Sequence, residues 1–131
     1  MSTQIMKLPD AELEIMKVIW HNETPISTSL IKEHLDKTRP WNVSALLTLL
    51  DRLIGRGFLS SYKQGKHRYY EILVEENDYV ARENKSFLEK INDNSIIRFV
   101  TSLYDSNAIT DRDLDELSAF IEEKARGADH G

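Results

Sequence analysis

The chain has 131 residues, room for one domain or two small lobes and too little for multidomain machinery. With 40% hydrophobic and 30% charged residues, 5 Gly and 3 Pro, it reads as a folded, helix-leaning protein and not as a disordered or collagen-like one. Zero Cys excludes disulfides, thiolate catalysis and Cys-based metal sites. The net charge of -5 is unevenly spread: residues 1–70 hold 10 Lys+Arg against 7 Asp+Glu, a balance of +3, and the other 61 hold 7 against 15, a balance of -8. That asymmetry predicts a basic module that meets a polyanion, joined to an acidic module with another task. No apolar run approaches the ~20 residues of a membrane span, and Met1 to Lys7 lacks the charged and apolar regions of a secretory signal. The expectation is a cytoplasmic protein without membrane insertion.

A first helix is predicted from the Leu8-Pro9-Asp10 start through Ala11 to Trp20, since Pro suits a first turn and Asp its positive dipole end. Leu13, Ile15, Met16, Ile19 and Trp20 form its apolar stripe, leaving Asp10, Glu12, Glu14 and Lys17 on the wet side. A second helix opens at Ser27, a good N-cap, and is predicted to bury Leu30, Ile31 and Leu35 before Thr38-Arg39-Pro40 ends it. Asn42 caps a third helix, Val43 to Ile54, stopped by Gly55 and Gly57. Val43, Leu46, Leu47, Leu50, Leu53 and Ile54 gather on its inner side, with Ser44, Ala45, Thr48, Asp51 and Arg52 outside. Small, hydrogen-bonding and charged groups on that face suit insertion into a groove, and a solvated face has the same look.

After Gly57 the period changes from 3.6 to 2, predicting a β-hairpin from Phe58 to Leu73 that turns at Gln64-Gly65. Its tip collects Lys63, Lys66, His67 and Arg68, four potential cations whose mutual repulsion a phosphate backbone would relieve. Helix then returns over Glu75 to Ile91, over Ile96 to Tyr104 behind Asn94 or Ser95, and from Thr110, whose spacing to Asp113 resembles a capping box with Asp in place of Glu. Val80, Phe87, Leu88, Ile91, Ile96, Phe99, Val100, Leu103, Leu114, Leu117, Phe120 and Ile121 supply their apolar faces. Three short helices can scarcely enclose a core alone, so these residues are predicted to form a dimer's shared core, with a frayed tail from Arg126.

The fold expected is mainly α with a small β-hairpin: three helices and a basic hairpin over 1–74, the order of a winged helix-turn-helix DNA-binding domain, then a helical dimerisation region over 75–131. In such a domain the third helix enters the major groove while wing cations and helix N-termini hold phosphates. Enzyme chemistry has little support: His21, His34, His67 and His130 lack a helical metal-pair spacing, and no nucleophile elbow or phosphate-cradling Gly loop occurs. A winged helix turned protein-interaction module is the alternative, favoured by the acidic second half.

Three segments together, Leu8 to Trp20, Thr48 to Leu59 and Tyr69 to Tyr79, resemble the penicillinase repressor family of BlaI, MecI and CopY type, over about Ile5 to Lys124. The resemblance implies a homodimeric transcriptional repressor that binds palindromic operator DNA, needs no cofactor, and controls a resistance or stress gene and its own operon. On the recognition helix the β-lactam branch places Lys, Thr, Arg and Thr where this chain has Ser44, Ala45, Leu47 and Thr48. Thr48 and Arg52 match and are implied base or phosphate contacts, with Ser44, Ser27 and Asn42 near helix starts as further DNA contacts. In that branch induction runs through a membrane sensor and protease pathway that cuts an Asn-Phe bond, whose counterpart here is Arg98-Phe99. The absence of Cys rules out the copper branch's thiolate sensing.

Overall fold

The three-and-four spacing of apolar residues becomes the buried stripe of each early helix in the computed structural model, which describes residues 7–129. The elements in order are α1 (Asp10–Trp20), β1 (Ile26–Ser27), α2 (Thr28–Asp36), α3 (Val43–Gly55), β2 (Leu59–Gln64), β3 (His67–Ile72), α4 (Glu76–Ile91), α5 (Ile96–Asp105) and α6 (Asp111–Asp129). The chain separates into two compact units, 1–83 and 84–131.

In the first unit Ile15, Met16 and Ile19 of α1, Ile31 and Leu35 of α2, and Leu46, Leu50 and Leu53 of α3 are wholly buried against Phe58, Leu59 and Tyr70. The predicted caps are in place: the Ser27 hydroxyl oxygen accepts from the Leu30 N–H at 3.2 Å, and Asn42 Oδ1 accepts from the Ala45 N–H at 3.1 Å. Three inner-face assignments are corrected, because Leu30, Val43 and Leu47 are 41%, 49% and 39% exposed. Each lies about 50–120° around its helix from the centre of the buried stripe, beyond the cover that neighbouring elements supply.

Glu12 departs from expectation in the opposite direction. It sits three and four residues before Ile15 and Met16, on the core side of α1, and is buried. The Arg56 Nε lies 3.1 Å from its Oε1, so a charge at the end of α3 meets the charge of α1. A buried carboxylate demands such a partner.

The hairpin forms, and a strand not foreseen joins it. The sheet order is β1-β3-β2, with Ile26 opposite Tyr70 and Ser27 opposite Tyr69. Gln64 pairs with His67, which moves the turn one residue on, to Gly65-Lys66. Gly65 takes φ +66°, a left-handed conformation that costs a glycine little, and this fixes the reversal there.

The first unit runs beyond the expected boundary at Val74 because the start of α4 packs on it. Tyr79 is buried, its ring 5.7 Å from those of Trp20 and Phe58, and its hydroxyl accepts from the Leu8 N–H at 2.8 Å. Burial pushes the Tyr79 phenol pKa up. Trp20 Nε1 donates to the Val74 carbonyl at 2.8 Å, tying the connecting segment down as well.

In the second unit Ser95 caps α5, accepting from the Arg98 N–H at 3.0 Å. The Thr110–Asp113 pair forms a reciprocal box: the Asp113 carboxylate accepts from the Thr110 N–H at 2.8 Å, and the Thr110 hydroxyl from the Asp113 N–H at 3.2 Å. The frayed tail expected from Arg126 is instead helical through Asp129, and His130 and Gly131 lie outside the described residues.

Candidate nucleic-acid interface

The β2–β3 register sorts the wing residues by face. Directly opposed residues share a face, so Leu59 with Ile72, Ser61 with Tyr70 and Lys63 with Arg68 lie on the core side of the sheet. Lys63 and Arg68 extend that face beyond the core. Tyr62 and Tyr69 stack on the other face with centroids 5.7 Å apart, where His67 also falls by alternation. Arg68 Nη1 donates to the Ser61 hydroxyl at 2.8 Å, which aims the guanidinium before any ligand arrives.

A groove of about 520 Å³ opens between this hairpin and two helices, lined by Thr28 and Ser29 at the start of α2, by Leu47 and Asp51 of α3, by Tyr70, and by Lys63, Lys66, His67 and Arg68. The first turn of one helix, the outer face of the next and the wing cations thus share a single surface. β1 helps to produce it: its pairing with β3 fixes the start of α2 beside the hairpin, and Thr28 Oγ1 lies 3.4 Å from the Tyr70 hydroxyl.

Of the predicted DNA-contact residues, Lys63, Lys66, His67 and Arg68 line the groove. Ser44, Ala45, Thr48 and Arg52 are exposed on α3 outside its buried stripe. The Thr48 hydroxyl donates to the Ser44 carbonyl at 3.0 Å, so its oxygen is left to accept and its methyl stays exposed. Ser27 and Asn42 spend their acceptor oxygens on capping, and each keeps a donor, the Ser27 O–H and the Asn42 amide. Leu47, read from sequence either as core packing or as a contact to a thymine methyl, lines the groove, whereas Thr28, Ser29 and Asp51 were not singled out as contacts from sequence. Asp51 carried a usable signal, its place on the outer face of α3, whereas Thr28 and Ser29 depend on a strand too short to show periodicity.

The Arg98-Phe99 bond lies in the first turn of α5. Arg98 Nη1 pairs with Asp93 Oδ2 at 2.8 Å, and the Phe99 N–H donates to the Ser95 carbonyl at 3.1 Å. The Phe99 ring is half-buried, 5.8 Å from that of Phe87.

Three helices, a three-stranded sheet and a cationic two-stranded wing beside the outer face of the third helix define a winged helix-turn-helix protein. Its solved neighbours include the DNA-binding domain of the repressor BlaI, which superposes with a TM-score of 0.52 at 38% identity, over 60% of this chain and 94% of that one. The sequence profile described as Penicillinase repressor matches residues 8–123, and the chain belongs to that family, one of repressors and not of enzymes. Among curated relatives, the penicillinase repressor of Bacillus licheniformis is 32% identical over 92% of this chain and 93% of its own length. The methicillin resistance regulatory protein MecI of Mammaliicoccus sciuri is 26% identical over 95% of this chain and its own full length. No helix among the described residues is long and apolar enough to cross a membrane.

Proposed function

We propose that the chain is a cytoplasmic, homodimeric repressor that binds a palindromic operator, with α3 in the major groove and the wing on the adjacent backbone. The observation that carries this reading is the groove in which Lys63, Lys66 and Arg68 of the wing face the outer side of α3 across Leu47 and Asp51. Cations there neutralise phosphates and fix register, while Ser44, Ala45, Thr48 and Arg52 meet base edges or nearby phosphates. The Ser27 hydroxyl and Asn42 amide donate to the backbone at the two helix starts.

The dimer rests on the second unit. Phe87, Ile91, Ile96, Phe120 and Ile121 are exposed, and Leu88, Phe99, Val100, Leu103, Leu114 and Leu117 are only half-buried. A second copy is the partner that would cover them, together with Val80, and so set two recognition helices on a two-fold operator. The regulated genes on this reading are a resistance or stress gene and the repressor's own operon. Cleavage at Arg98-Phe99, at the end of a membrane sensor and protease pathway, would open α5 and release the dimer.

Fluorescence anisotropy tests the reading, with labelled DNA from the protein's own promoter against a random duplex at several salt concentrations. A preference of roughly a thousandfold or more, with log K falling steeply against log salt, is the expected outcome. Equal weak binding to both duplexes would overturn sequence-specific repression and leave a protein-interaction module.

A further inference from the structure

The outward face of α3 carries an anion on the side that meets the groove. At about 100° per residue, Ser44 and Thr48 lie nearest the direction opposite the buried Leu46, Leu50 and Leu53, with Asp51 about 50° to one side, towards Leu47, and Arg52 about 50° to the other, towards Ala45. Asp51 is exposed and lines the groove. It makes no ion pair with another described residue, although Lys63, Lys66 and Arg68 line the same surface. A carboxylate on a DNA-facing surface repels phosphate, so its position is costly unless a hydrogen-bond donor on the DNA meets it.

Major-groove edges differ in what they offer. Guanine presents two acceptors, N7 and O6, and thymine presents the O4 acceptor and a methyl group. Adenine pairs its amine with the N7 acceptor. Cytosine alone offers a donor, the N4 amine, with no acceptor beside it. The Thr48 oxygen, whose hydrogen is committed to Ser44, adds a second acceptor one turn away, so Thr48 and Asp51 together favour an amine over an acceptor.

We infer that Asp51 is a specificity-determining residue that accepts from the N4 amine of a cytosine, fixing one C·G pair in each operator half-site and rejecting guanine on the contacted strand. The inference rests on the operator-binding reading above and adds a base identity to it. Asp51 is exposed and outside the core, so its replacement leaves the fold intact.

The test is parallel selection from a random-sequence duplex library by the full-length protein and its Asp51→Lys and Asp51→Asn variants, followed by affinity measurement on the selected sites. The wild type is expected to enrich cytosine at one position per half-site, and exchanging that pair for G·C should weaken binding by roughly five- to a hundredfold. Asp51→Lys should turn the same position to guanine and Asp51→Asn should turn it to adenine, with the rest of the half-site unchanged. A general change in affinity without a change of base at one position is what a merely electrostatic role would give, and it would overturn the inference. Identical sites for all three proteins, or a wild-type site indifferent to guanine there, would overturn it while leaving the repressor reading intact. If none of the proteins enriched any sequence, both readings would fall together.

Discussion

Residues 1–83 and 84–131 differ in what they bury. The first unit closes around wholly buried side chains from three helices and a sheet, whereas Asn92 is the one buried residue described in the second. Amphipathicity is not the difference, because α5 is as clearly two-faced as α3: Ile96, Phe99, Val100 and Leu103 recur on it at three-and-four spacing. What differs is the supply of covering surface. The first unit covers its own apolar core, while the second presents faces that a monomer leaves wet, at roughly 25 cal/mol for each Å² of apolar surface.

The largest effect that sharpens this contrast is expected in the first core. Leu50→Ala should cost about 2–5 kcal/mol in urea unfolding, whereas Ile97→Ala, at a position 74% exposed, should stay within about 0.5 kcal/mol. A similar loss at both sites would break the distinction between the units. Next, Arg56→Ala strands the Glu12 carboxylate in the core and should cost about 3 kcal/mol by the same measurement. Alanine at Lys63, Lys66 and Arg68 together should leave unfolding unchanged and lower the slope of log K against log salt by roughly 2.7, about 0.9 for each lost phosphate contact. Phe99→Ser or Leu117→Ser should loosen the dimer at least about tenfold in sedimentation, near 1.4 kcal/mol, with the first unit's melting unmoved. A tight dimer after both changes would remove the dimerisation role from these helices.

The smallest effect concerns pH. Glu76 accepts from the Lys17 ammonium at 2.7 Å, and its ring-nitrogen neighbour His21 lies 3.0 Å away. The Lys17 hydrogen bond, and to a lesser degree His21, hold the Glu76 carboxyl below its usual range. A depressed folded-state value means that the contribution is fully present above the unfolded pKa and is lost as pH falls through the folded one. Lys17→Ala should therefore flatten the acid limb of melting temperature against pH, slightly, because the pair is exposed to solvent.

Most of the first unit's elements were legible because apolar spacing, Ser27, Asn42 and the glycines after α3 all point to the same boundaries. The departures have local causes. Glu12 reads as a surface charge until α3 brings Arg56 to it, and Leu30 reads as core until the tertiary arrangement leaves it uncovered. β1 spans two residues and carries no period; only Tyr69 and Tyr70, more than 40 residues away, make it a strand. At the candidate site the wing cations announced themselves by crowding, and their division between two sheet faces required the register. Asp51 was visible as an outer residue of α3, but its meaning emerged only when the groove placed it opposite the wing.

Tyr79 bears on where this molecule can be cut. Its phenol holds the Leu8 N–H, and its ring lies against Trp20 and Phe58, so a residue of the fourth helix serves as part of the winged unit's wall. A fragment ended at Val74 would keep every helix and strand of the DNA-binding motif and still lose that wall, together with the acceptor for Leu8. The smallest heritable piece of this repressor that can be moved onto another protein as a working reader of DNA is therefore longer than its motif: it carries the opening turns of α4 with it.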